Sequence, residues 1–125
     1  MNVPEDLRYT KSHEWVRVDG DTATIGITDH AQSELGDIVF VDLPNVGLAL
    51  SNGQSFGTVE SVKTVSDVYS PLTGEVVAVN DSLGAQSEIM NADPYGSGWL
   101  IKVKMGDPSE IDSLLDASSY QAALD

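Results

Sequence analysis

The stretch Val59-Glu60-Ser61-Val62-Lys63-Thr64-Val65-Ser66-Asp67-Val68-Tyr69-Ser70-Pro71 decides how this chain is read. Two arms rich in β-branched residues flank a lysine, a pattern that predicts a hairpin with Lys63 at its tip, projecting into water. Charge singles out the same residue. The 125 residues hold 20 Asp and Glu against 6 Lys and Arg, a formal charge of −14. Between Val18 and Ile101, Lys63 is the one basic residue among twelve acidic ones. So acidic a surface repels nucleic acid and anionic lipid, and steers instead toward proteins with basic patches. With no cysteine, neither a disulfide framework nor thiolate chemistry can come from the chain.

Outward from the hairpin, short β-prone segments alternate with turn signals. Upstream, His13 to Val18 and Thr22 to Ile27 read as strands around an Asp19-Gly20-Asp21 turn, with Val16 and Val18 half-buried. That triplet lacks the further ligands of a calcium loop. Asp29 is the expected N-cap of a helix running to Leu35, with Gly36 as its stop. Asp37 to Leu43, apolar on both faces, reads as a fully buried strand. Gln54 to Glu60 follows an Asn52-Gly53 turn, and Val65 to Tyr69 leads away from Lys63. Beyond Pro71 and Gly74 come a strand from Glu75 to Val79, an irregular or briefly helical stretch over 81–97, and a strand from Trp99 to Lys104 with Trp99, Ile101 and Val103 on one face. Asp107-Pro108 opens a helical segment over 108–124. The whole predicts one domain, residues 1–125, built mainly of β structure as a sandwich or flattened barrel. No apolar run is long enough to span a membrane, and Met1-Asn2-Val3-Pro4-Glu5-Asp6 has no signal-peptide character.

Few reactions survive inspection of the side chains. Zinc would have to use His13, His30 and scattered carboxylates, which form no ligand motif, so no metal site is expected. Ser12-His13-Glu14 has the letters of a catalytic triad, but on a strand Ser12 and Glu14 would share one face and His13 the other. No glycine-rich loop precedes a helix. Lys63 remains. Its ε-amine could be acylated, which removes the charge. The rival role, Schiff-base formation, needs desolvation or a nearby cation, whereas Glu60 and Asp67 favour the protonated amine. A third class, an acidic adaptor without modification, would bind in a salt-sensitive way indifferent to Lys63→Arg.

Glu60-Ser61-Val62-Lys63, followed by Ser66-Asp67 and by Pro71-x-x-Gly74-Glu75-Val76, resembles the lipoyl attachment segment of the glycine cleavage system H proteins. The resemblance runs through Ser12-His13-Glu14-Trp15, Ile25-Gly26-Ile27-Thr28-Asp29-His30-Ala31-Gln32, Leu35-Gly36-Asp37 and Val39-Phe40-Val41-Asp42-Leu43-Pro44. It continues through Asn91-Ala92-Asp93-Pro94-Tyr95-Gly96-Ser97-Gly98-Trp99 to Leu114-Leu115-Asp116-Ala117. Biotin acceptors place methionine on both sides of the lysine, where this chain has Val62 and Thr64. Lipoyl domains of 2-oxoacid dehydrogenases show Asp-Lys-Ala and carry flexible linkers.

The resemblance implies a lipoyl/biotinyl-type flattened barrel-sandwich of two antiparallel sheets with short helices, including C-terminal ones, and a lipoyl hairpin over 54–79. It implies a non-catalytic carrier with lipoate in amide linkage to Lys63. The arm would accept an aminomethyl group from a glycine decarboxylase (P protein) and pass it to a tetrahydrofolate-dependent aminomethyltransferase (T protein). Dihydrolipoamide dehydrogenase (L protein) would reoxidise it. It further implies lipoate- or octanoate-attaching enzymes that recognise Glu60, Ser61 and Val62, and a cleft for the loaded arm lined by Ser12, Glu14 and Asp67. The carrier is expected to be a monomer of the bacterial cytoplasm, or of the mitochondrial matrix if the chain is a processed form. Some relatives instead relay lipoate to other enzymes.

Overall fold

A computed structural model describes residues 2–124, so the ends of the expected domain, Met1 and Asp125, lie outside the described residues. Two antiparallel sheets form its frame. The larger has six strands in the order β1 (Arg8–Tyr9), β2 (Glu14–Asp19), β3 (Thr22–Ile27), β9 (Ile101–Met105), β8 (Gly74–Val79) and β5 (Ala49–Leu50). The smaller has three: β4 (Ile38–Asp42), β6 (Ser55–Ser61) and β7 (Val65–Tyr69). Neither closes on itself, which makes a flattened sandwich of the kind expected. Helices α1 (Asp29–Leu35), α2 (Ile89–Ala92) and α3 (Ala117–Leu124) and two 3₁₀ turns, Asp81–Gly84 and Pro108–Ser113, complete it.

The inner faces of the sheets meet in an aliphatic core. Val16, Ile25, Ile101, Val103 and Val76 from the large sheet pack against Ile38, Val41, Val59 and Val68 from the small one. Each such side chain contributes about 1.5–3 kcal/mol on burial. Because successive strand residues point to opposite faces, Trp15 turns away from Val16 to join Tyr9, Tyr95, Ala117 and Tyr120 in a second, aromatic cluster. That cluster holds α3 against the sheet: the rings of Tyr9 and Tyr120 stack at 4.7 Å, and the Trp15 indole donates to the Pro94 carbonyl at 2.9 Å. Gly26 faces the indole so closely that a Cβ there would lie 2.7 Å from the ring.

Several expectations are corrected. The α1 cap is Thr28, whose hydroxyl accepts from the Ala31 N–H, with Asp29 the first helical residue. The strand expected to be buried on both faces is not: Ile38 and Val41 point inward, but Val39 and Phe40 are 50% and 54% exposed. A register shift between Ile38 and Phe40 turns these two residues outward. Val18 is exposed at the hairpin end. Trp99 precedes its strand and packs with the aromatic cluster, while Ile101 and Val103 face the aliphatic core.

Candidate functional site

The β6–β7 hairpin carries Lys63 at its tip as expected. The turn is tied internally. The Ser61 N–H donates to the Thr64 carbonyl at 2.8 Å, and the Ser61 hydroxyl accepts from the Lys63 and Thr64 N–H groups at 3.3 and 3.2 Å. The Val62 N–H donates to the Asp37 carbonyl at 3.1 Å, which ties the tip to the entry of β4. Ser61 is therefore buried and committed to the turn. Expected as a recognition residue, it is placed to shape the loop, while Glu60, Val62 and Lys63 are exposed. Among the described residues the Lys63 amine makes no ion pair or hydrogen bond. Its stem passes over Gly36, where a Cβ would sit 3.6 Å from Lys63 Cε.

Gly36 ends the helix that forms one wall of a cleft of about 440 Å³ between the two sheets. Ser12 enters it from the turn before β2, Glu14 from the first position of β2, Ile27 from its partner strand, Ala31 and Leu35 from α1, and Asp67 and Val68 from β7. The three residues expected to line a cleft thus line the same one. Glu14, 2% exposed, is held tightly. One carboxylate oxygen accepts from the hydroxyls of Ser12 and Thr10 at 2.6 Å each, and the other from the Tyr69 N–H at 3.4 Å. Burial raises the Glu14 pKa above its ordinary value, and these hydrogen bonds oppose the rise. Asp67 is exposed at the rim.

His13, His30 and Glu34 also line the cleft, and the sequence reading missed them. His13 was expected on the opposite face from Ser12 and Glu14. It is not on a strand: β2 begins at Glu14, and His13 has φ 73°, so strand alternation does not apply. His30 and Glu34 could have been found, since the N-cap at Thr28 places them one helical turn apart on one face. The His30 Nε2 lies 3.9 Å from Glu34, and the His13 and His30 rings lie 4.6 Å apart.

An exposed amine on a hairpin, beside a cleft with aliphatic walls and buried carboxylate, suits a chain that carries an acyl arm and folds it back. The sequence model of the glycine cleavage H-protein family matches residues 7–125. The chain belongs to that family. It is 55% identical to a glycine cleavage system H protein of Bacteroides thetaiotaomicron, over 99% of this chain and 98% of that protein. It is 57% identical to one from Geobacillus kaustophilus, over 99% and 98%. The crystal structure of an H protein from Mycobacterium marinum superimposes with a TM-score of 0.88 at 42% identity, covering 96% of this chain and 97% of that one. The H protein is the carrier component of the glycine cleavage system. No helix among the described residues is long and apolar enough to cross a membrane.

Proposed function

We propose that this chain is a single lipoyl-carrier domain of the glycine cleavage system, with hairpin 54–79 presenting Lys63 for amide linkage to lipoate. The observation that carries the reading is the pairing of an exposed Lys63 amine, without a partner among the described residues, with an adjoining cleft that contains a buried, hydrogen-bonded Glu14. The residues fit the group: its hydrocarbon chain suits walls made by Ile27, Leu35 and Val68, and a cationic end suits carboxylates. Bound through Lys63, lipoate would supply a redox-active dithiolane able to carry an aminomethyl group between a glycine decarboxylase and a tetrahydrofolate-dependent aminomethyltransferase, with dihydrolipoamide dehydrogenase as the oxidising partner.

The chain's own residues present, shelter and hold. Ser61 stiffens the turn so that Lys63 projects toward the attaching enzyme, and exposed Glu60 and Val62 offer that enzyme its contacts. Glu14 accepts a charge-assisted hydrogen bond from the ammonium end of the loaded arm. Ser12 and Thr10 keep its carboxylate oriented, and Asp67 adds negative charge at the rim. Excluding water from the cleft slows loss of formaldehyde and ammonia from the arm. The redox sulfurs belong to the cofactor, in keeping with a chain that has no cysteine. The acidic surface supports brief encounters of a monomeric carrier with several enzymes, and the bacterial relatives above support a bacterial cytoplasmic setting. Reconstituted glycine decarboxylation tests the reading. The lipoylated wild-type protein is expected to sustain turnover and Lys63→Arg none; turnover by the variant would overturn it.

A further inference from the structure

We infer that Tyr120, on the C-terminal helix, is a positioning residue for the cleft: its hydroxyl keeps the His13 ring neutral, with the hydrogen on Nε2, so that this wall presents no positive charge to an ammonium. The inference rests on the reading of the cleft as the seat of the arm's cationic end.

The backbone at His13 is unusual. His13 has φ 73°, a left-handed conformation that non-glycine residues seldom adopt. Its N–H donates to the Thr10 carbonyl at 3.2 Å, and its carbonyl accepts from the Thr28 N–H at 3.0 Å. This turns the ring toward α3, where the Tyr120 oxygen lies 2.7 Å from His13 Nδ1 and 2.7 Å from Thr28 Oγ1.

The hydrogens in this chain have one consistent direction. Thr28 Oγ1 already accepts the Ala31 N–H that caps α1, at 3.2 Å. Thr28 is 0% exposed, and among the described residues the acceptor for its hydroxyl hydrogen is Tyr120. Tyr120 therefore accepts from Thr28 and donates to His13 Nδ1. An imidazole that accepts at Nδ1 is the neutral Nε2–H tautomer. Protonating Nδ1 would make Tyr120 an acceptor there and leave either the Thr28 or the Tyr120 hydroxyl hydrogen without an acceptor among the described residues, which is unfavourable.

The groups around the ring come from four elements: His30 and Glu34 on α1, Glu14 on β2, Asp67 on β7 and Tyr120 on α3. Burial first, and then His30, pushes His13 below its ordinary pKa, while Glu34 opposes. The Tyr120 hydrogen bond acts in the same direction as burial. With His13 neutral, Glu14, Glu34 and Asp67 keep the cleft selective for a cation. With His13 charged, that selectivity is weakened.

Nitrogen-15 NMR of the unmodified protein tests the arrangement independently of lipoylation. Wild-type His13 is expected as the Nε2–H tautomer at neutral pH, titrating below the ordinary value of 6.5. Tyr120→Phe is expected to raise the His13 pKa by about half a unit, a roughly threefold gain in protonated fraction at pH values above that pKa. An Nδ1–H tautomer in the wild type, which needs no variant to read, would overturn the inference. So would a His13 pKa unchanged by Tyr120→Phe. In the lipoylated protein, the loaded form should decay faster on acidification, at a pH that moves up with His13 in the variant. A shifted His13 titration with an unshifted decay profile would overturn the role in the cleft while leaving the carrier reading intact. Absence of a lipoyl group on Lys63 would remove the carrier reading itself.

Discussion

The hairpin tip and the cleft beside it treat an ionisable side chain in opposite ways. Lys63 stands in water without a partner among the described residues, on a turn whose rigidity comes from Ser61. Glu14 is withdrawn from water and fixed by two hydroxyls. On the proposed reading, the contrast follows from what each must meet. An amine that an enzyme is to acylate must be reachable, and a surface lysine costs the fold nothing. A carboxylate that is to hold a cation must be oriented and dry, because hydrogen bonds to charged groups weaken in competition with water. The fold separates the two groups by putting Lys63 on a projecting turn and Glu14 between the sheets.

The comparison breaks most sharply at the tip. Lys63→Arg should abolish modification and carrier activity altogether, yet leave thermal unfolding unchanged within about 0.5 kcal/mol, as for surface replacements in general. Intact mass and calorimetry on the same sample read both halves. Next comes the cleft floor. Glu14→Gln keeps the shape but loses a charge-assisted hydrogen bond of about 1.5–3 kcal/mol, so the aminomethyl-loaded form should decay roughly ten- to a hundredfold faster, followed by release of formaldehyde. An unchanged lifetime would remove Glu14 from the role. Asp67→Asn, at the exposed rim, should shorten that lifetime only about two- to fivefold, and the difference should fade at high salt.

The smallest effect is one of stability. Burial raises the Glu14 pKa in the folded protein, so folding takes up protons between the ordinary and the raised value. The stability that Glu14 itself contributes is then fully present below the ordinary value of 4.5 and is lost as pH rises through the folded pKa. Glu14→Gln should lack this decline, and pH-dependent melting curves of the two proteins should diverge above that value. Parallel curves would mean that the carboxylate is not desolvated.

The same contrast explains what could be read from the sequence. The hairpin was legible because its signals are local: β-branched arms, a lone lysine, and turn residues at either end. The tight turns at Gly20 and Gly53, with φ 64° and 88°, were legible for the same reason. Strand β4 was not, because Ile38-Val39-Phe40-Val41 gives no alternation to show which residues face the core. A register shift, invisible in composition, sends Val39 and Phe40 outward. In the cleft, Ser12 and Glu14 were found through the family resemblance, but His13 was assigned to the wrong side because strand geometry was extended across a left-handed residue. Its partner Tyr120 lies 107 positions away in the chain. No local pattern reports a hydrogen bond between a turn near one end and a helix at the other.

Mapping the modification by mass spectrometry, on protein expressed with lipoate and an attaching enzyme, tests the central claim most directly. The account predicts a mass increase of one lipoyl group, confined to the peptide that contains Lys63 and absent from Lys63→Arg. An unmodified Lys63 under those conditions, or a lipoyl group on any other lysine, would contradict it.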